Sequence, residues 1–363
     1  MWDLLNLKPE VFGLDISELS LKFVKLKKKG KFFNLASYGE APIKAGVIRN
    51  GEIRDQKELI KAIKNSLTKV AGKKLKTKYV VASLPEERGF LQVIQLPKMP
   101  EEDLKSAIVY EAENYIPLPI EDVYLDFQIV QPLFDHLDHL DVLIAALPKK
   151  IVDSYLFCLK QAGLKPKVLE IESLAISRAL IKDEFSQSPV LLIDLGAART
   201  SFIIFSGHSL RFTSSIPVFS QNLTEVISKT MKTGLGQAEK LKIEYGLQPR
   251  IKGKESPAIM IPTFAYLVEQ IRRHIDYYKT HSFHEHLASA DKALSKIILC
   301  GEGANITGLT DFLSSELRMT VEKANPFINI LAKPEEETSQ LSLKQSLGYT
   351  TAFGLALRGA KEL

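Results

Sequence analysis

Two short stretches of this chain read almost alike. The first is Phe12-Gly13-Leu14-Asp15-Ile16-Ser17-Glu18-Leu19-Ser20-Leu21-Lys22. The second is Leu192-Ile193-Asp194-Leu195-Gly196-Ala197-Ala198-Arg199-Thr200-Ser201-Phe202. Each carries an apolar run, one Asp, a turn of small residues, a hydroxyl residue and a new apolar run. That order predicts a strand, a tight turn and a return strand, made twice. A duplicated hairpin with an acidic residue at its mouth predicts two similar lobes facing each other. Turn amides could then hold a phosphate chain between them, and two carboxylates a metal.

Size agrees with duplication, since 363 residues suit two domains better than one core. Hydrophobic content of 45% and charged content of 25% are those of a soluble globular protein. No apolar run approaches the ~20 residues that span a bilayer. The start, Met1-Trp2-Asp3-Leu4-Leu5-Asn6-Leu7-Lys8-Pro9, lacks the basic region and cleavage site of a signal peptide. Cys158 and Cys300 lie in apolar contexts and read as reduced core residues, which places the chain in the cytoplasm.

The net charge is +5, and the lysines are clustered. One group runs from Lys22 to Lys31 and another from Lys57 to Lys78. They read as a hairpin tip and a solvated helix face, or as a surface for anionic lipid or an acidic partner. No groove-reading motif or aromatic interleaving points to nucleic acid.

The periodicities predict an α/β chain. Strands are expected at 11–16, 20–27 and 31–39, a helix at 55–71 and a strand at 78–83. The proline-rich stretch 84–132 predicts strand 89–96, helix 101–115 and strand 122–130, followed by a loop from Asp135 to His139 and strand 142–146. This block reads as an inserted module. Helix 149–162, strand 167–172 and a helix to about 182 complete the first half. Strands 190–195, 200–206 and 209–217 repeat the opening. Helices 219–233 and 236–245, a loop at 248–257, helix 262–281, strand 296–300, a helix from about 307, an acidic loop at 333–340 and helix 348–359 follow.

Asp15 and Asp194 end apolar strands at turns, as second-shell ligands of magnesium would, reached through water. An Asx turn explains either one alone. Lys22, on the return strand, could reach phosphate. Ser17, Ser20 and Thr200 offer hydroxyls, and Gly196 and Ala197 a tight turn. Gly301-Glu302-Gly303-Ala304 after a strand would bring backbone amides to a base or phosphate. Glu239 and Lys242 share a helix face and could embrace ribose and adenine, or form a surface ion pair. His281, His284 and His286, with His136 and His139 elsewhere, lack the partners of a zinc site.

On these residues, together with Ala352-Phe353-Gly354-Leu355-Ala356, the chain resembles the actin/Hsp70/sugar-kinase ATPase fold. Within it, Leu96-Pro97-Lys98-Met99-Pro100, Tyr110-Glu111-Ala112-Glu113-Asn114-Tyr115-Ile116-Pro117-Leu118-Pro119 and Arg272-Arg273-His274-Ile275-Asp276-Tyr277-Tyr278 resemble the PilM family of type IV pilus assembly proteins. The resemblance implies an actin-like ATPase fold with an FtsA-like inserted subdomain. Residues 1–83, 148–185 and 345–363 would form subdomain 1A, 84–147 subdomain 1C, 186–233 with 296–344 subdomain 2A, and 234–295 subdomain 2B.

The resemblance also implies ATP and magnesium as ligands and a scaffold peripheral to the inner membrane. It would dock the N-terminal peptide of PilN and meet other pilus platform proteins, with any self-association left open. An FtsA-like tether and a sugar-kinase-type phosphotransferase are the alternatives. Ser17 and Glu302 replace glycines usual in the fold. Glu170 and Glu172 are near, but not clearly at, the place of a water-activating group, so slow or absent hydrolysis is expected.

Overall fold

The computed structural model describes residues 9–132, 138–218, 220–247, 250–251, 254–255, 261–281, 293–333 and 340–362. The expected loops around 135 and 335, and His136, His284 and His286, lie wholly or mostly outside these residues.

The opening segment folds into strands β1 (Val11–Ile16), β2 (Ser20–Lys29) and β3 (Phe32–Pro42). Helix α1 (Gln56–Ser66) and strand β4 (Tyr79–Leu84) follow. Asp55 caps α1 by accepting from the Glu58 amide at 3.0 Å. The helix stops at Ser66, short of the expected 71. The hydroxyls of Ser66 and Thr68 bond backwards to Ile63 O and Asn65 O, competing with helix propagation.

The inserted block is strand β5 (Phe90–Pro97), helix α2 (Glu101–Ala112), strand β6 (Val123–Ile129) and strand β7 (His139–Pro148). It makes its own antiparallel sheet in the order β5-β7-β6. Leu104, Ile108 and Ala112 of α2 cover one face of this sheet and give the insert a separate core. Ile116 belongs to that core, whereas Tyr115 and Leu118 are exposed.

Helix α3 (Lys149–Gln161) and strand β8 (Lys165–Ile171) return to the first lobe, and helix α4 (Glu172–Leu180) leaves it. The first sheet therefore has the order β8-β4-β1-β2-β3, with Ala71–Gly72 at its edge.

The second lobe repeats this plan with strands β9 (Ser186–Leu195), β10 (Thr200–Gly207), β11 (Ser209–Ile216), β12 (Lys296–Cys300) and β13 (Val321–Lys323). Its order is β11-β10-β9-β12-β13. In both sheets the Asp-bearing strand pairs antiparallel with the next strand and parallel with the fourth. The three-residue β13 had no readable pattern of its own, yet it completes the duplication.

Helices α5 (Ser220–Met231), α6 (Leu235–Tyr245), α7 (Ile261–His281) and α8 (Leu309–Leu317) flank the second sheet. A short turn, α9 (Leu343–Ser346), precedes the terminal helix α10 (Thr350–Glu362). Within 248–257, which reads as a loop, Arg250–Ile251 pairs with Lys254–Glu255.

The two lobes are joined where α10 crosses α4. A Cβ on Gly354 would lie 1.8 Å from the Ala175 carbonyl oxygen, and one on Gly13 would lie 2.4 Å from the Ala352 oxygen. Only glycines allow α10 to lie this close to both α4 and β1. The crossing fixes the spacing of the lobes and so of whatever lies between them.

Candidate functional site

A cavity of about 440 Å³ opens between the lobes. Asp15, Ser17, Ser20 and Lys22 line it from the first hairpin, and Asp194, Gly196, Ala197 and Ser201 from the second. Glu239, Gly301 and Glu302 close another side. Both hairpins place their Asp at the cavity for one reason. Each Asp ends a buried strand whose antiparallel partner turns back beside it, so the carboxylate emerges at the sheet's end.

Strand register decides which neighbours share that position. Asp15 pairs directly with Lys22, and Asp194 directly with Ser201. Directly opposed residues project to the same face. Thr200 is one residue out of step and is a correction to the expected site. It is buried, and its hydroxyl donates to Val218 O at 2.8 Å. Ser201, absent from the expected set, faces the cavity in its place.

Three other expected residues are also displaced. Lys242 is fully buried. Its ammonium donates to Ser220 O (3.0 Å), Ser220 Oγ (2.6 Å), Thr224 Oγ1 (2.9 Å) and Glu239 Oε2 (2.7 Å). It therefore ties α6 to α5 beneath the cavity, and of the proposed Glu239–Lys242 pair only Glu239 reaches the lining. Gly303 and Ala304 turn inward in a 3₁₀ turn (Glu302–Asn305) and are buried. Gly301 lines the cavity at φ +78°, where a Cβ would come within 2.4 Å of Asp194 Oδ1. Glycine is thus required for the Asp194 carboxylate to keep its position.

The electrostatics are those of crowded carboxylates. Burial raises the Asp15 carboxyl to about 6; Lys22 pulls it down and Asp194 pushes it further up. Ser83 Oγ donates to Asp15 at 3.1 Å. Asp194 is also raised, again by burial, although a contact from Cys300 Sγ at 3.6 Å offsets part of this. Burial alone would lower Lys22. Glu302, Glu40 and Asp15 together carry it above the ordinary lysine value.

Lys22 of the first lobe bonds directly to Glu302 of the second and lies 3.9 Å from Glu40. The carboxylate that replaces a glycine in the 301–304 turn therefore holds the cation expected to meet phosphate.

The structure separates Glu170 from Glu172. Glu170 is buried, takes a two-pronged bond from Arg178 (2.7 Å each) and another from Arg358 (2.8 Å), and so locks α4 to α10. Glu172 lines the cavity. Burial, then Asp15, Glu87 and Asp194, push its carboxyl well above the usual range. One available signal was its place just past the end of a parallel strand, where sites collect in such sheets. Glu87 and Arg199, 3.6 Å apart across the cavity mouth, had no such signal.

Among the described residues, no group of three or more His, Cys, Asp or Glu is arranged to hold a metal directly. Asp15 and Asp194 fit a hard divalent ion that keeps most of its waters and takes its remaining ligands from phosphate. Such an ion would offset the burial that raises both carboxyls.

The family described as type IV pilus assembly protein PilM matches residues 13–360. The solved PilM-PilN type IV pilus biogenesis complex is 27% identical, with a TM-score of 0.80, covering 98% of this chain and 99% of that one. An MreB protein of Spiroplasma citri bound to AMPPNP is 12% identical with a TM-score of 0.53, covering 96% of each chain. It shows the shared actin-like fold. The cell division protein FtsA of Enterococcus hirae is 26% identical over 254 residues, covering 64% of this chain and 57% of that protein. The chain thus spans less than two thirds of the FtsA proteins it matches.

Proposed function

The chain belongs to the PilM family of type IV pilus assembly proteins, and from that premise we propose that it is a scaffold of the pilus assembly platform that clamps ATP-magnesium between its lobes and docks a PilN-type N-terminal peptide. The observation that carries the nucleotide part is the meeting of Asp15 and Asp194, from duplicated hairpins, on one interlobe cavity. The N-terminal turn of α5 adds Ser220, Gln221 and Thr224 to the lining, and a helix N-terminus favours a phosphate. In this reading magnesium is held through water by Asp15 and Asp194. Ser17, Ser20, Gly196 and Ala197 face the phosphates, and Glu239 faces the sugar. The bound ion supplies charge neutralisation. The residues supply orientation and exclusion of water.

ATP acts by closing the lobes, a shift of population rather than a turnover cycle. Glu172 is the group nearest to a water-positioning role. Burial and the neighbouring Asp15, Glu87 and Asp194 push its carboxyl upward and so disfavour the ionised form a base would need, which supports slow or absent hydrolysis. The FtsA-like tether and the phosphotransferase give way to the scaffold because the family match runs through nearly the whole chain.

For the peptide, the dock in this reading is the inserted subdomain 1C with the adjoining 1A. Ile116 is core, so the 115–119 segment is not the floor of a groove. A second cavity of about 500 Å³ lies beside α3, lined by Ile53, Gln56, Lys150, Ile151, Ser154 and Phe157 among others. Phe157 is exposed there, and Tyr124 of the insert reaches Asp153 at 3.0 Å. Among the described residues no helix is long and apolar enough to cross a membrane. In this reading membrane attachment passes through the partner.

Calorimetry with ATP-magnesium on the wild type and Asp194→Ala tests the first half. A loss of roughly 1–3 kcal/mol is expected, the scale of a charged hydrogen bond. No binding by the wild type at millimolar nucleotide would refute it. Phe157→Asp should abolish binding of a PilN-type peptide while ATP still binds. Cross-linking of that peptide to the second lobe, beyond residue 186, would refute the placement.

A further inference from the structure

The end of the first sheet opposite the cavity carries lysines in or just before every strand but β1. β2 carries Lys22 at the cavity and Lys29 at its far end, about 23 Å away for seven residues of strand. At that far end β2 finishes in Lys27-Lys28-Lys29, paired with the beginning of β3. Val11 and Lys165 both pair with Tyr79, so the starts of β1, β4 and β8 lie at the same level. The start of β8 brings Lys165 and Lys167, whose ammonium groups lie 5.7 and 4.9 Å from the centre of the Tyr79 ring. Lys78 precedes β4, and its carbonyl accepts from the Lys165 amide at 2.8 Å. Glu10, just before β1, is an acid in this row. Lys25 bonds to it at 2.5 Å, and Lys27 and Lys76 add to the lowering of its carboxyl.

The tip of the β2–β3 hairpin adds a second kind of observation. Phe32 is 45% exposed, between Lys29 and Lys31 on one side and the buried Phe33 on the other. Strand alternation buries Phe33 and turns Phe32 outward, so core packing gives no reason for an aromatic there. An exposed phenyl beside the exposed Lys28, Lys29 and Lys31 matches the boundary of an anionic bilayer: the ring enters the headgroup layer and the lysines meet lipid charge.

The named cations of the row are lysine throughout, point charges without the forked geometry used to grip single phosphates. Strand spacing spreads them over about 19 Å, and neither cavity described above lies among them. That is a surface for diffuse charge rather than a pocket for one group.

We propose that this end of the first lobe rests directly on an anionic phospholipid surface, with Phe32 as its inserted residue. The contact is additional to the partner-mediated attachment above and does not depend on nucleotide. A peptide tether would raise its effective concentration at the membrane.

The test is sedimentation of the whole chain with vesicles of phosphatidylcholine alone, or doped with phosphatidylserine or phosphatidylglycerol, with no peptide present. Binding to both anionic kinds and not to the neutral one is expected, lost as salt shortens the Debye length. The triple variant Lys28→Gln, Lys29→Gln, Lys31→Gln should weaken binding roughly a hundredfold, at about fivefold for each lysine. Phe32→Ser should weaken it several-fold at unchanged charge. All four positions are exposed, so an unchanged thermal melt accompanies each result.

Absence of vesicle binding would overturn the proposal, as would equal binding to neutral vesicles or an unaffected triple variant. A Phe32→Ser protein that binds as the wild type does, while polyglutamate or duplex DNA competes for the same lysines, would reassign the row to an acidic macromolecule and refute the bilayer contact.

Discussion

Asp15→Asn should make the nucleotide-free protein more stable at neutral pH. The ordinary Asp value is 3.8, and burial lifts Asp15 to about 6 in the fold. Between those values the folded state holds a proton that the unfolded chain has released. Stability therefore falls as pH rises through the window. The favourable term is complete below about 3.8 and gone above about 6. A difference of about two pH units corresponds to about 3 kcal/mol carried as a penalty at pH 7.

Asparagine is neutral at every pH and keeps an oxygen to accept the Ser83 hydroxyl now 3.1 Å from Asp15. The variant should match the wild type near pH 4 and exceed it by up to about 3 kcal/mol at pH 7, a figure already net of the attraction to Lys22. Urea unfolding of both proteins at intervals from pH 4 to 8, without nucleotide, measures this. Saturating ATP-magnesium should then reverse the order, because a ligand stabilises only the form that binds it. A variant less stable than the wild type at pH 7, or a difference that does not change between pH 4 and 6, would refute the account of a carboxylate kept under strain for a cation.

Glu302→Gln should free Lys22 from its partner on the opposite lobe and tighten ATP-magnesium several-fold in calorimetry; weaker binding would mean that Glu302 serves the nucleotide rather than competing with it. Lys242→Met should cost about 1–3 kcal/mol in chemical denaturation, because it leaves the buried Ser220 oxygens without the ammonium that ties α6 to α5, while Glu239, 42% exposed, stays solvated. An effect confined to nucleotide affinity, with stability unchanged, would restore Lys242 to the binding site. Gly354→Ala should destabilise by about 1–3 kcal/mol or fail to fold, since its Cβ meets the Ala175 carbonyl oxygen; a thermal melt equal to the wild type would show that the α4–α10 crossing can spread.

The duplication, the inserted module and the Asp residues at strand ends were legible because their signals are local. Alternation of apolar residues, an Asp before small residues and a change to proline-rich composition are each contained in about ten consecutive positions. The same locality limits what can be read. Thr200 and Ser201 are equivalent hydroxyl residues until the register with β9 sends one to Val218 and the other to the cavity. Lys242 looked like a surface cation three residues from Glu239, and only the packing of α5 against α6 buries it.

Glu170 and Glu172, two positions apart, differ in role because Arg178 and Arg358 claim the first, while the start of α4 points the second between the lobes. Lys22 and Glu302 are separated by 280 residues and become partners only when the lobes close on α10. The sequence by itself determined the longer strands and helices and which residue types end them, since those depend on neighbours along the chain, but not β13 or the 250–255 pairing, which carry no local signal. The tertiary structure decided which charges are paired, which are buried and which face the cavity. Those depend on distances between segments remote in sequence, and on the dielectric each group meets once water is excluded.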